Sequence, residues 1–201
     1  MNFLAHCLIG ARAAEQENPE LVAGGFLGDF IKGTVPADLP PDLALGVRLH
    51  RRIDAYSNQH PGIRESCERF PAPLRRMAPI FVDIIADHCL ARQWPEFSDE
   101  PIDVFTQRAY LQIARHSNWL SARGERFFRY MSEEDLLGSY QHSHVMHQGL
   151  RSITRRLDRE HLNAELMATA VSQLEQLEED FLKYFPDMLA HGKEWVLREG
   201  G

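Results

Sequence analysis

The sequence predicts an all-α protein, a single compact helical domain over residues 1–201 with about seven to nine helices. Helix-start signals are frequent, and several segments repeat apolar residues at the spacing of a helix. No segment alternates apolar and polar residues between hairpin turns, which argues against β-strands. The length is sufficient for a hydrophobic core that needs neither disulfides nor a structural metal.

The N-terminal half contains four predicted helices. They span residues 2–15, 19–32, 41–60 and 74–94. Asn18 and Pro19 indicate a helix start, because asparagine is a favoured N-cap and proline a favoured first residue. Gly33 is a plausible stop for that helix. In the fourth helix, Pro79 predicts a kink or a later start.

The C-terminal half contains four further predicted helices. They span residues 102–116, 118–131, 139–158 and 163–198, after a loop over 95–101. Ser132 begins a short capped turn between the second and the third. We expect the last helix to be scaffold, with a kink at Pro186, because its apolar positions follow regular helical spacing.

Composition excludes several classes of protein. The net charge of −7 argues against a general nucleic-acid binder. No apolar stretch nears about twenty residues and no export signal is recognisable, so we expect no membrane span. The scattered Cys7, Cys67 and Cys89 match no metal or disulfide pattern. Cys7 and Cys89 lie in apolar runs and are predicted to be buried thiols, which fits a reducing cytoplasm.

Acidic residues inside apolar helices are the most informative feature. Asp83 and Asp87 lie in IFVDIIADHCLA, and Asp29 lies in GGFLGDFIKG. A buried carboxylate costs several kcal/mol unless it is paired or binds a cation. Asp83 and Asp87 are four residues apart, as are His50 and Asp54, so each pair projects from one helix face.

These residues predict a metal centre. The candidate ligands are Asp29, His50, Asp54, Asp83, Asp87, His88 and, with a weaker signal, His6. Mixed carboxylate and imidazole ligands suit Mn²⁺, Mg²⁺, Fe²⁺ or Zn²⁺. Seven ligands exceed the need of one ion, so either two metals bind or some residues only orient ligands, His6 and His50 being the first we would assign there. Alternatively, the carboxylates pair with arginines.

Arginines are concentrated around these candidates. Residues 44–92 contain eight arginines and five acids, whereas the whole chain has a net charge of −7. A cationic segment on an acidic protein indicates a site for an anionic substrate or partner. Neither a phosphate-binding glycine loop nor a serine nucleophile motif is present. If the protein is an enzyme, the residues favour a metal-dependent hydrolase.

Four stretches together resemble the acyl carrier protein phosphodiesterase family. They are MNFLAHCLIG, GGFLGDFIKG, GVRLHRRIDAYSNQHP and DIIADHCLARQW, in family order over residues 1–94. The family is regarded as a distant variant of the HD phosphohydrolase superfamily, which implies an HD-like helical fold. The chain has Asp87-His88 and no His-Asp step, so ligand roles follow only the closer family.

The resemblance implies a reaction and its participants. The family uses a divalent metal, usually Mn²⁺, to hydrolyse the phosphodiester that joins 4′-phosphopantetheine to a serine of holo acyl carrier protein. Asp83 and His88 are then candidates for catalytic proton transfer. Lys32, Arg48, Arg51 and Arg52 are candidates for binding the phosphodiester. The candidates for docking the acidic carrier are Arg64, Arg69, Arg75 and Arg76.

Two other functions stay open from the sequence. The first is a metal phosphohydrolase that acts on a nucleotide or another small phosphodiester. The second is a non-catalytic helical binding protein for an acidic partner, in which Asp29, Asp54, Asp83 and Asp87 form buried ion pairs. Metal content discriminates between the classes, because ion pairs need no metal.

Overall fold

The computed structural model describes residues 1–199. These residues form twelve α-helices, three short 3₁₀ helices and no strand, so the all-α prediction is confirmed. The α-helices are α1 (Phe3–Arg12), α2 (Pro19–Leu27), α3 (Pro41–Ser57), α4 (Pro61–Glu68), α5 (Ala72–Arg75), α6 (Ala78–Arg92), α7 (Ile102–Ala114), α8 (Ala122–Glu133), α9 (Leu136–Ser139), α10 (Ser143–Arg156), α11 (Asn163–Ser172) and α12 (Leu174–Glu199). None of the helices within residues 1–199 has both the length and the apolarity that a membrane crossing requires.

Close packing of α2 against both α1 and α3 positions the candidate site. A Cβ atom at Gly24 would lie 2.5 Å from the Cα of Gly46 in α3. One at Gly25 would lie 2.7 Å from the carbonyl oxygen of His6 in α1. Only glycine permits these backbone approaches. The glycines of GGFLGDFIKG therefore allow the two helices that carry His6 and His50 to meet beside α2.

Helices α6 and α12 complete the core around this layer. Helix α6 contacts α1, α4, α10 and α12, and α12 also packs on α1 and α3. The side chains of Phe81, Phe181 and Phe185 are fully buried there. Cys7 and Cys89 are buried in the same core, as predicted. The candidate ligands of α1, α3 and α6 are thus held on helices with well-packed inner faces.

Three predicted helices are divided or shortened, which raises the helix count. The segment 74–94 forms α5 and α6, with Pro79 in the first turn of α6 rather than at a kink. The segment 163–198 divides at Gln173, and α12 continues through Pro186. Helix α2 ends at Leu27, short of the predicted Lys32, and Gly33 lies in the following turn with φ +72°.

Two local features were not predicted. Helix α4 begins at Pro61, and the His60 side chain caps it by accepting a hydrogen bond from the N–H of Gly62. Ser132 lies inside α8, so it does not cap the next turn. Asp135 does so instead, because its side chain accepts from the N–H of Gly138.

Candidate metal centre

His6, His50 and Asp54 form one cluster between α1 and α3. Nε2 of His6 lies 3.0 Å from Oδ1 of Asp54, and Nε2 of His50 lies 3.3 Å from Oδ2 of the same carboxylate. One ligand atom from each of the three residues lies within 4.8 Å of the others. Two imidazoles and a carboxylate around one point are a donor set for divalent transition metals.

The cluster is rigid on its protein side and open on the other. The rings of His6 and His50 are buried and stack with centroids 3.9 Å apart. The side chain of Asp54 is 42% exposed. A cation bound here would contact the buried rings of His6 and His50 on one side. On the side of Asp54 it would face solvent, which leaves room for water and substrate.

The orientation of His50 fits a metal ligand. Its Nδ1 lies 2.8 Å from the carbonyl oxygen of Gly25, which only accepts hydrogen bonds, so Nδ1 carries the proton. With Nδ1 used by the backbone, Nε2 is the ring nitrogen left to bind a cation on the Asp54 side. A backbone partner of this kind is usual for histidines that bind metals.

Burial and hydrogen bonding set the charges of the cluster. Burial, together with the nearby His50, lowers the pKa of His6 to about 3, so His6 is neutral at neutral pH. Burial opposes ionisation of Asp54, but hydrogen bonds from His50 and His6 outweigh it and hold the pKa of Asp54 well below its usual range. The cluster therefore combines a neutral His6 with a negative Asp54 carboxylate, the forms in which these side chains bind a metal.

Asp83 and Asp29 border the cluster. The α-amino group of Met1 lies 3.0 Å from Oδ1 of Asp83 and 3.4 Å from Oδ1 of Asp54, so it connects α6 to α3. Burial raises the pKa of Asp83 despite the Met1 amine, and the charges of Asp54 and Asp29 raise it further. Three carboxylates thus share one electrostatic environment.

Asp87 is held away from the cluster by the backbone of α1. Its two carboxylate oxygens accept hydrogen bonds from the N–H groups of Leu4 and Ala5, each at 2.9 Å. The first N–H groups of a helix lack partners within the helix, and Asp87 supplies them for α1. With both oxygens used and the side chain fully buried, Asp87 anchors the helix that carries His6.

His88 points to another part of the core. Its Nδ1 lies 2.6 Å from the carbonyl oxygen of Tyr140. The charged groups that act on it are Arg92, Glu178 and His147, none of which belongs to the cluster. In this structure, Asp87 and His88 therefore contact different parts of the core.

The residues that the structure brings together differ from those we expected to be the main metal ligands. We expected His6 and His50 to be the first residues outside the cluster, yet both lie inside it, whereas Asp87 and His88 do not. The available signal was the burial of His6 in the apolar MNFLAHCLIG, since a buried imidazole needs partners. The arginine pairing considered for the aspartates is also absent from residues 1–199, because no arginine lies within 4.0 Å of any of the four carboxylates in question.

Comparison with known proteins decides the family. The family model described as acyl carrier protein phosphodiesterase matches residues 1–188. The chain belongs to the acyl carrier protein phosphodiesterase family. Proteins named acyl carrier protein phosphodiesterase from Salmonella dublin, Salmonella newport and Salmonella heidelberg are each 31% identical to it over 198 residues, which cover 98% of this chain and 100% of the relative. No solved structure matches the chain, and the HD-like relationship stays a prediction.

The four basic residues predicted to bind substrate differ in their contacts. Lys32 is exposed and lies 3.9 Å from Asp29. Arg51 donates to the carbonyl oxygen of Ile31 and so connects α3 to the same turn. Arg48 is exposed. Arg52 donates to Nε2 of His191 in α12.

Two of the four arginines predicted for docking have structural partners. Arg69 forms a bidentate ion pair with the buried Asp180, at 2.6 and 2.9 Å, so its guanidinium has a structural partner and docking by Arg69 stays a prediction. Arg75 donates to two backbone carbonyls at the end of α4, although it remains exposed. Arg64 and Arg76 are exposed and, within residues 1–199, form no ion pair.

Proposed function

We propose that this protein is a metal-dependent phosphodiesterase that hydrolyses the bond between 4′-phosphopantetheine and a serine of holo acyl carrier protein. The observation that carries the proposal is the His6–His50–Asp54 cluster, which is open to solvent in a chain of this family. The carrier as partner follows from the name of the relatives. A cytoplasmic location stays a prediction from the cysteines.

His6, His50 and Asp54 are the residues that would hold the metal, with Asp83 and Asp29 beside them. A divalent ion in such a site lowers the pKa of bound water and offsets charge on a phosphoryl oxygen. We propose Mn²⁺ on the basis of the family, and the donor set also accepts Fe²⁺, Zn²⁺ or Mg²⁺. Asp87 and His88 are not part of this proposal for the metal.

The reaction requires one proton transfer and local positive charge. Water adds to phosphorus, the bond from phosphorus to the serine oxygen breaks, and the serine oxygen takes up a proton. We assign the proton transfer to Asp83, because its pKa is raised by burial and its side chain is still 34% exposed. We assign the offset of the phosphodiester charge to Lys32 and Arg48, which are both exposed.

The test is to incubate the purified protein with holo acyl carrier protein, either with Mn²⁺ or with a chelator, and to measure the intact mass of the carrier. We expect the phosphopantetheine mass to disappear only when metal is present. The Asp54→Asn variant should lose this activity, and His144→Ala, which changes an exposed histidine of α10, should keep it. If the carrier mass stays unchanged when the incubation is repeated with Mn²⁺, Fe²⁺, Zn²⁺ and Mg²⁺ in turn, the proposal is refuted.

A further inference from the structure

Helix α8 carries an unpaired basic row beside the candidate metal centre. Over the whole of α8 the sequence contains three arginines and two acids, Glu125 and Glu133, although the whole chain has a net charge of −7. The arginines are Arg123, Arg126 and Arg129, all exposed. Within residues 1–199 none of them forms an ion pair, whereas Arg69 and Arg108 on other helices do.

The row lies on one side of α8. Residues three and four apart on a helix are neighbours, so Arg123, Arg126, Arg129 and Tyr130 form one continuous strip. Tyr130 is 49% exposed. The opposite side of the helix is fixed by Phe127 and Phe128, which pack into the core layer. Arginine and tyrosine are the residue types enriched in protein interfaces, and an arginine row without acidic partners favours an acidic one.

Aromatic contacts place this strip next to the centre. The ring of Phe127 lies 5.2 Å from Phe3 at the start of α1 and 6.0 Å from Phe30, the residue after Asp29. A Cβ atom at Gly124 would lie 2.9 Å from the Phe30 ring, so α8 rests directly on the turn after α2. The same turn bears the exposed Lys32. Arg51 of α3 donates to the carbonyl oxygen of Ile31 in this turn, so basic residues of α8, of the turn and of α3 lie on connected elements.

We infer that the α8 strip of Arg123, Arg126, Arg129 and Tyr130 docks the acidic surface of the protein that carries the phosphodiester. This inference rests on the proposed function, since it assigns the place where the protein substrate of that reaction binds. It differs from the predicted docking segment of residues 64–76, in which Arg69 is occupied by Asp180. The strip attracts and orients the partner, and the metal centre alone performs the hydrolysis.

The test compares two charge-reversed proteins of equal net charge. Arg123→Glu/Arg126→Glu changes the strip, and Arg151→Glu/Arg156→Glu changes two exposed arginines of α10 that form no ion pair within residues 1–199. Kd for labelled holo acyl carrier protein is measured by fluorescence anisotropy at low and high salt. Hydrolysis of the carrier and of bis(p-nitrophenyl) phosphate is measured in parallel.

We expect the strip variant to raise Kd and KM for the carrier about tenfold or more at low salt, with the difference shrinking as salt rises. Its kcat, and its rate on the small diester, should match wild type. Equal Kd values for wild type and the strip variant, or an equal rise in the α10 variant, would overturn the docking inference. If the wild-type protein binds the carrier through the strip but hydrolyses neither the carrier nor the small diester, the proposed function is refuted and the docking inference is supported.

Discussion

The imidazole rings of His6 and His50 stack with centroids 3.9 Å apart, although one ring belongs to α1 and the other to α3. Both rings direct Nε2 to the same carboxylate, that of Asp54. The α-amino group of Met1 contacts the same carboxylate, at 3.4 Å. Helix packing rather than a local motif therefore brings these three possible metal ligands together.

The first prediction concerns metal binding. Mn²⁺ should raise the thermal midpoint of the wild-type protein, because a ligand at about a hundred times its Kd stabilises the folded state by about 2.7 kcal/mol. His6→Ala and His50→Ala should lose most of this shift. Differential scanning fluorimetry with and without Mn²⁺ measures it, and His144→Ala serves as the control on an exposed histidine. A full shift in both cluster variants would contradict the assignment of these ligands.

The sequence predicted the pair His50–Asp54 well, because both residues lie on one helix and helical spacing determines their relative position. It did not distinguish Asp83 from Asp87, which share the same spacing but have different surroundings. Asp87 faces the start of α1 and is used by its N–H groups. Such a contact joins residues far apart in sequence, and no periodicity within α6 contains that information.

The same limit applies to the charged residues. The concentration of arginines in 44–92 is visible in the sequence. The ion pair between Arg69 and Asp180, however, depends on how α12 packs against α4. The all-α class was predictable because helix caps and apolar spacing are local. Helix bounds were less so, since α11 and α12 divide at Gln173 without proline or glycine at that position.

The second prediction uses the contact between Gly28 and His50. A Cβ atom at Gly28 would overlap the imidazole ring of His50, whereas the local backbone, with φ −54° and ψ −30°, suits alanine. Gly28→Ala should therefore displace the ring and weaken Mn²⁺ binding at least tenfold, a loss of about 1.4 kcal/mol. Isothermal titration calorimetry gives the affinity.

A matched control is Gly149→Ala, whose Cβ would meet only the side chain of Ile84, at 3.2 Å. This variant tests the effect of adding a methyl group to a packed helix remote from the cluster. It should bind Mn²⁺ as wild type does. Equal affinity in Gly28→Ala and wild type would show that His50 does not contribute to the metal site in the orientation described.

The third prediction separates structural from exposed arginines. Arg69→Ala should lower the free energy of unfolding by about 2–3 kcal/mol, because it leaves the buried carboxylate of Asp180 without its charged partner. Arg64→Ala, on the same segment but exposed, should change it by less than about 0.5 kcal/mol. Urea unfolding measures both values, and similar losses in the two variants would argue against a structural role for Arg69.

The fourth prediction concerns pH and Asp87. Burial raises the pKa of Asp87 from 3.8 to about 7, against the hydrogen bonds from Ala5 and Leu4. The folded protein therefore retains a proton that the unfolded chain releases, and the free energy of unfolding falls as pH rises through this range, by at most about 1.4 kcal/mol per pH unit. Asp87→Asn should lack this component. Urea unfolding from pH 4.5 to 7.5, at about one reading per half unit, gives the slope of the free energy of unfolding against pH for both proteins. Only the difference between the two slopes reports on Asp87, since every other group titrates in both proteins. Identical slopes would mean that Asp87 is already ionised throughout, held so by the two N–H groups of α1.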